Sequence, residues 1–176
     1  MKKLHLIIFI LITNFCLSQT KTEIDSLLNV IGRINDSKEI TKTEQAKKLD
    51  EYGWKILPIM AEFFVDSTET KVKSECLGRN LTKGELTIIM ADRIEGMPYA
   101  PLTGIQNCIG TFCEKNINII EYYLDFIKRD GVGKFQVKYN DWLKSDSNIE
   151  WKPIFELKSA SERKKIIKEK RKAKQK

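Results

Sequence analysis

Four helix starts between residues 22 and 121 are marked by a side chain able to cap a helix with an acidic residue three positions later: Thr22 with Asp25, Thr41 with Glu44, Thr82 with Glu85, and Asn118 with Glu121. In a capping box the first side chain accepts from a free backbone N–H of the opening turn, and the acid reaches back to the cap's own N–H. Each pair stands just before apolar residues at helical spacing. Ile24, Leu27, Leu28, Ile31 and Ile34 fall at i, i+3, i+4, i+7 and i+10, one stripe of an amphipathic helix. Leu49, Tyr52 and Trp54 follow the second start. Leu86, Ile88, Ile89, Met90 and Ile94 follow the third until Gly96 and Pro98 stop them, and Ile119 to Ile127 follow the fourth until Gly131.

Further starts fill the gaps. Pro58 suits a first helical turn and leads into Ile59, Met60, Phe63 and Phe64. Asp66 and Glu69 open a short segment ending near Gly78. Ile105, Cys108, Ile109 and Phe112 make another stripe, as do Phe135, Tyr139, Trp142 and Leu143. Helix starts near 22, 41, 58, 68, 82, 103, 118 and 134 predict an all-α single domain over residues 19–157. It would hold about eight short amphipathic helices stacked as helical hairpins, loosely HEAT-like, without sequence units alike enough to make a repeat family. Two stretches stay open between helix and strand. Phe135, Val137 and Tyr139 alternate, so 134–139 reads either way, and 151–157 is equally ambiguous.

Residues 1–18 have the layout of a cleaved secretory signal: Lys2 and Lys3, an apolar run from Leu6 to Ile12, then small side chains at Cys16 and Ser18. The run is shorter than the roughly 20 residues that span a bilayer. The expectation is a product exported to the periplasm or secreted, with no transmembrane helix in the mature chain. Phe15 before Cys16 argues against a lipid anchor there.

Removing that segment shortens the list of chemistries. His5 is the chain's one histidine, so the mature chain has none. This excludes Ser-His-Asp and Cys-His catalysis and histidine ligation of zinc or haem. No phosphate-binding glycine loop is present, so no cofactor and no metal site is expected. Three cysteines remain: Cys76, Cys108 and Cys113. An oxidising compartment favours one bridge. Cys108 and Cys113 are five apart, about 140° around a helix, which favours Cys76 pairing with Cys108 or Cys113, or all three staying buried thiols.

The formal charge of +7 is unevenly placed. Residues 158–176 hold ten basic and two acidic side chains, and 19–157 hold 19 basic and 22 acidic ones, so a +8 tail follows a domain of −3. Ser159 with Glu162 can start a helix in this tail; otherwise it is a disordered, solvated end. Lys164, Lys165, Lys168, Lys170, Arg171 and Lys172 are its candidates for contact with an anionic surface. The lack of an aromatic residue to stack on bases argues against nucleic acid.

Candidate binding residues cluster where the Thr82 helix ends. Asp92, Arg93 and Glu95 occupy its last turn, where the helix dipole disfavours negative charge, and Tyr99 follows. The connection from Met97 to Gly110 adds Gln106 and Asn107, uncharged polar groups between rigid turns. The leading expectation is an exported, non-enzymatic helical interaction protein with a protein partner, an immunity or inhibitor type being one concrete version. The alternatives are an enzyme that acts on envelope glycans with carboxylates alone, or an envelope-attached structural protein held by its basic tail.

Overall fold

The computed structural model describes residues 20–107, 112–114, 116–153 and 158–175. They are mostly helical, with one two-stranded sheet. Helix α1 covers 20–31. A 3-10 helix Ser37–Lys42, α2 Glu44–Tyr52, a second 3-10 turn Gly53–Ile56 and α3 Leu57–Glu62 follow. Strands β1 Glu69–Ser74 and β2 Arg79–Thr82 come next. The remaining helices are α4 Lys83–Ile94, α5 Tyr99–Thr103, α6 Glu121–Asp130, α7 Val132–Lys144, α8 Asp146–Ile149 and α9 Ala160–Lys174.

The α1 stripe packs as its spacing requires: Ile24, Leu28 and Ile31 are fully buried. Helix α4 lies at the centre, with Leu86, Ile88, Ile89, Met90, Ala91 and Ile94 all buried, so it is apolar on more than one side. It packs on α2 and α3, and α3 also meets α7 across a long sequence gap. Phe64 sits 5.0 Å from Tyr139 and 5.8 Å from Phe135, ring centre to ring centre. In a solenoid each hairpin touches only its neighbours in sequence. The α3–α7 contact skips three helices, so these elements close around one core instead of forming a HEAT-like stack.

The capping signals sort by their surroundings. At α4 the capping box is complete: Thr82 Oγ1 accepts from Glu85 N, and Glu85 accepts from Thr82 N at 2.8 Å. Helix α2 is capped by Thr43 rather than Thr41, its hydroxyl accepting from Ala46 N at 3.0 Å. Thr22 lies inside a helix already formed at residue 20. Asn118 does not cap α6; its side chain donates to Ser37 O at 2.9 Å, and Glu121 is drawn into the core to accept from Ser74 Oγ and Ser37 Oγ.

Two expectations are corrected and one open reading resolves to helix. The segment opened by Asp66 and Glu69 is a hairpin, not a helix. Thr70 and Val72 alternate inward along β1, and Gly78, at φ +69°, makes the turn into β2. Residues 134–139 belong to helix α7, where Phe135, Tyr139 and Trp142 form the buried stripe. Ile105–Asn107 carry no helix, while Cys108 and Ile109 lie outside the described residues. Of 151–157, residues 151–153 have no regular structure and 154–157 lie outside the described residues, as do 1–19 and with them the expected signal segment. No described helix is long and apolar enough to cross a membrane.

A close approach fixes the entry to α4. A Cβ on Gly84 would stand 2.1 Å from Phe64 O, where Gly84 N already donates to Asp66 O at 2.9 Å. Covalently, Cys76 in the hairpin turn is bonded to Cys113 ahead of α6. The bridge closes a loop of 37 residues, worth about 4 kcal/mol in the chain-entropy picture. Denaturant unfolding of the protein with and without a reductant should therefore differ by about 2–4 kcal/mol. The double variant C76S/C113S should match the reduced protein.

Candidate functional site at the end of α4

The last turn of α4 sends its side chains to two different places. Asp92 and Arg93 lie on the helix and line one cavity. Glu95 comes after the helix has ended, with extended backbone (φ −149°, ψ 107°), and its side chain passes into the core. Helical spacing places Asp92 and Glu95 side by side. The break at Ile94 separates them.

On the first side, the Asp92 carboxylate accepts from Met97 N at 2.8 Å and from the Tyr99 hydroxyl at 3.0 Å. These donors favour the charged form, yet withdrawal from water outweighs them and pushes the carboxyl up to about 7. Burial, and then the Asp92 charge, raise the Tyr99 phenol above its ordinary value. The Tyr99 ring stacks on Tyr123 at 4.8 Å, and Asn107 N donates to the Tyr123 hydroxyl at 3.3 Å. Arg93 forms no ion pair or hydrogen bond among the described residues. Asp92, Arg93 and Tyr99 line a cavity of about 190 Å³ with Thr41, Ile89, Gly96, Ile117, Asn118 and Ile119.

Sequence reasoning reaches half of this wall. Asp92, Arg93 and Tyr99 converge as expected of a site. Asn107 donates its backbone N–H to the Tyr123 hydroxyl, Gln106 is exposed and does not line the cavity, and Glu95 faces elsewhere. The opposite wall, Thr41 and Ile117–Ile119, comes from distant segments. On that wall Ile117, a large apolar side chain, stays 62% exposed.

On the second side, Glu95 is 2% exposed and meets two cations from α9. Lys170 Nζ donates to its two oxygens at 2.6 and 2.7 Å, and Arg163 donates at 3.2 Å. Lys170 also donates to Asn148 Oδ1 at 2.7 Å. Burial lowers the Lys170 ammonium from its ordinary value despite the opposing pull of Glu95. Around this cluster Tyr139 Oη, Asn148 Nδ2 and Trp54 Nε1 are buried without a hydrogen-bond partner among the described residues. Lys170 is thus an internal ion, not a member of a surface patch. The tail is the ordered helix α9, started by a complete capping box of Ser159 and Glu162.

Among the described residues no group of three His, Cys, Asp or Glu side chains is placed to hold a metal ion.

Two outcomes follow. Asp92 titrates near 7 when folded and near 3.8 when unfolded. Between those values the folded state holds a proton that the unfolded state has released, so stability falls as pH rises from about 4 to about 7. Urea unfolding across that range should show a decline of about 2 kcal/mol in the wild type, allowing for the cavity's partial solvation. D92N should flatten the slope. Separately, E95Q leaves two buried cations without their counter-charge and should cost about 3–5 kcal/mol. Limited proteolysis should then cut within α9 first. No protein-family model, curated protein or solved structure matches this chain.

Proposed function

We propose that this chain is an exported, non-catalytic binding protein that docks through the outward edge of α9 on an acidic face of a partner protein. One observation carries this reading. Lys164, Lys168 and Lys172 stand at i, i+4 and i+8 on one line of α9, all exposed, and none forms an ion pair among the described residues. Successive members are roughly 6 Å apart along the axis. Arg163 and Lys170 hold the opposite edge of the same helix to Glu95. The stripe is therefore presented on a fixed support, which lowers the ordering cost of binding.

Other features of α9 bear on the kind of partner. Its sizeable apolar side chains are Ile166 and Ile167, too few for the broad Leu, Phe or Trp face of a helix that inserts into lipid. It has no aromatic ring to stack on a base. Export rests on the Met1–Ser18 pattern. The reading does not depend on a stacked-hairpin surface. A two-carboxylate glycosidase draws no support, because such enzymes set both groups across a cleft about 5–9.5 Å apart, whereas Glu95 is enclosed by Arg163 and Lys170.

The experiment is affinity capture from the protein's own envelope fraction, comparing the mature wild type with K164E/K168E/K172E. A partner retained by the wild type, weakened at high salt and lost with the triple variant is the expected result. Reversing acidic residues on that partner should restore binding to the variant. Equal capture by both forms overturns the reading. Binding of the wild type to anionic phospholipid vesicles or to duplex DNA, with no protein captured, replaces it by a membrane-surface or nucleic-acid role.

A further inference from the structure

We propose that the cavity beside α4 binds a free α-amino acid with an aliphatic side chain, Asp92 taking its ammonium and Arg93 its carboxylate. This proposal stands apart from the α9 edge and does not rest on it.

Charge pairing is the first argument. Charged groups drawn out of water are normally paired. Among the described residues Asp92 accepts only from the neutral donors Met97 N and Tyr99 Oη. The neighbouring Arg93 is half-buried and has no acceptor among the described residues. The two do not pair with each other, yet both line one cavity. A purely cationic ligand would satisfy Asp92 and be repelled by Arg93, and a purely anionic one would do the reverse. A small molecule carrying both charges answers both, and charge-assisted bonds of this kind are the strong ones.

Size and lining narrow the class. At about 190 Å³ the cavity is below the roughly 300–1,000 Å³ of sites for drug-sized ligands. It suits a molecule of a few heavy atoms. Ile89 forms a buried part of the wall, Ile119 is half-buried, and Ile117 stands 62% exposed beside the same opening. An exposed large aliphatic residue at the entrance gains apolar contact when an aliphatic side chain enters. The larger groove between α2 and α9 differs in this respect: its Lys158 already meets Asp50 at 3.4 Å, and its Lys55 meets Glu169 at 3.9 Å.

Titration calorimetry on the mature protein decides the matter with three probes of one shape. L-leucine carries both charges, L-leucinamide lacks the carboxylate, and 4-methylpentanoate lacks the ammonium. Leucine should bind at least about tenfold more tightly than either analogue, the equivalent of one charge-assisted contact. In R93Q, leucine affinity should fall about tenfold or more while leucinamide affinity stays unchanged. In D92N the loss should fall on leucine and leucinamide but not on 4-methylpentanoate. Arg93 has no ion-pair or hydrogen-bond partner among the described residues, so R93Q keeps the test sound even where D92N perturbs the fold. No binding of leucine, valine or isoleucine overturns the proposal. So does equal binding of all three probes, or unchanged leucine affinity in R93Q.

Discussion

A single buried carboxylate decides whether the last helix belongs to this fold. Helix α9 has little apolar surface to bury, since Ile166 and Ile167 are its only sizeable hydrophobic side chains. Its attachment therefore runs through Glu95, which meets Lys170 and Arg163 one on each of two turns. Ion pairs in a dry site gain less net stability than their Coulomb attraction implies, because each ion has lost its hydration. Their effect is on register. Sliding α9 by one turn would put Ile167 or Ser159 where Arg163 stands and break the paired contact on Glu95, whereas an apolar contact would tolerate the shift. The same pairing faces Lys164, Lys168 and Lys172 outward.

That carboxylate reaches α9 because α4 stops one residue before it. Asp92 and Arg93 keep helical backbone and face the cavity; Glu95 turns extended and enters the core on another side. Gly96 and Pro98 then let the chain double back, so that Met97 N and the Tyr99 hydroxyl close on Asp92. Trp151 Nε1 donates to Gly96 O at 2.6 Å and fixes the corner from outside. One helix terminus thus supplies a permanently paired acid and an acid held by neutral donors alone. The pairing makes the first a structural group. The second keeps a cavity in front of it and a carboxyl near neutrality in its titration, which suits it to a ligand.

How far such a layout was legible in the sequence differs by element. The helical class, the start of α4 at Thr82 and the start of α9 at Ser159 follow from local chemistry, and local chemistry decides them in the structure. The hairpin over residues 69–82 is hidden in the sequence because Asp66 and Glu69 imitate a helix start. Asp66 instead accepts from Thr68 N and leads into a strand. The better signal was the alternation of Thr68, Thr70 and Val72, β-branched residues that favour a pleated surface. Asn118 was misassigned for a different reason. Its cap geometry lost to a tertiary bond with Ser37, and no single-segment pattern contains Ser37. The cavity's far wall, Thr41 and Ile117–Ile119, was out of reach on the same ground, being assembled from segments about 76 positions apart.

The charge distribution makes the sharpest separation between composition and structure. Counted along the chain, a −3 domain is followed by a +8 tail that looks detachable. In three dimensions much of that tail is the domain's counter-charge: Lys158 meets Asp50, Arg163 and Lys170 meet Glu95, Arg171 meets Glu150, and Lys174 meets Asp146. The exposed pairs among these are worth about 0–1 kcal/mol each and are screened by salt, so they orient α9 more than they hold it. Among the described residues, subtracting them leaves a much smaller free charge than the composition implies, on Lys164, Lys165, Lys168 and Lys172, with Lys164, Lys168 and Lys172 along one edge. A run of like charge along a chain predicts repulsion and disorder. Once half of its members are paired inward, the remainder becomes a short, ordered row whose spacing is set by the helix, and spacing, unlike total charge, is something a partner can recognise.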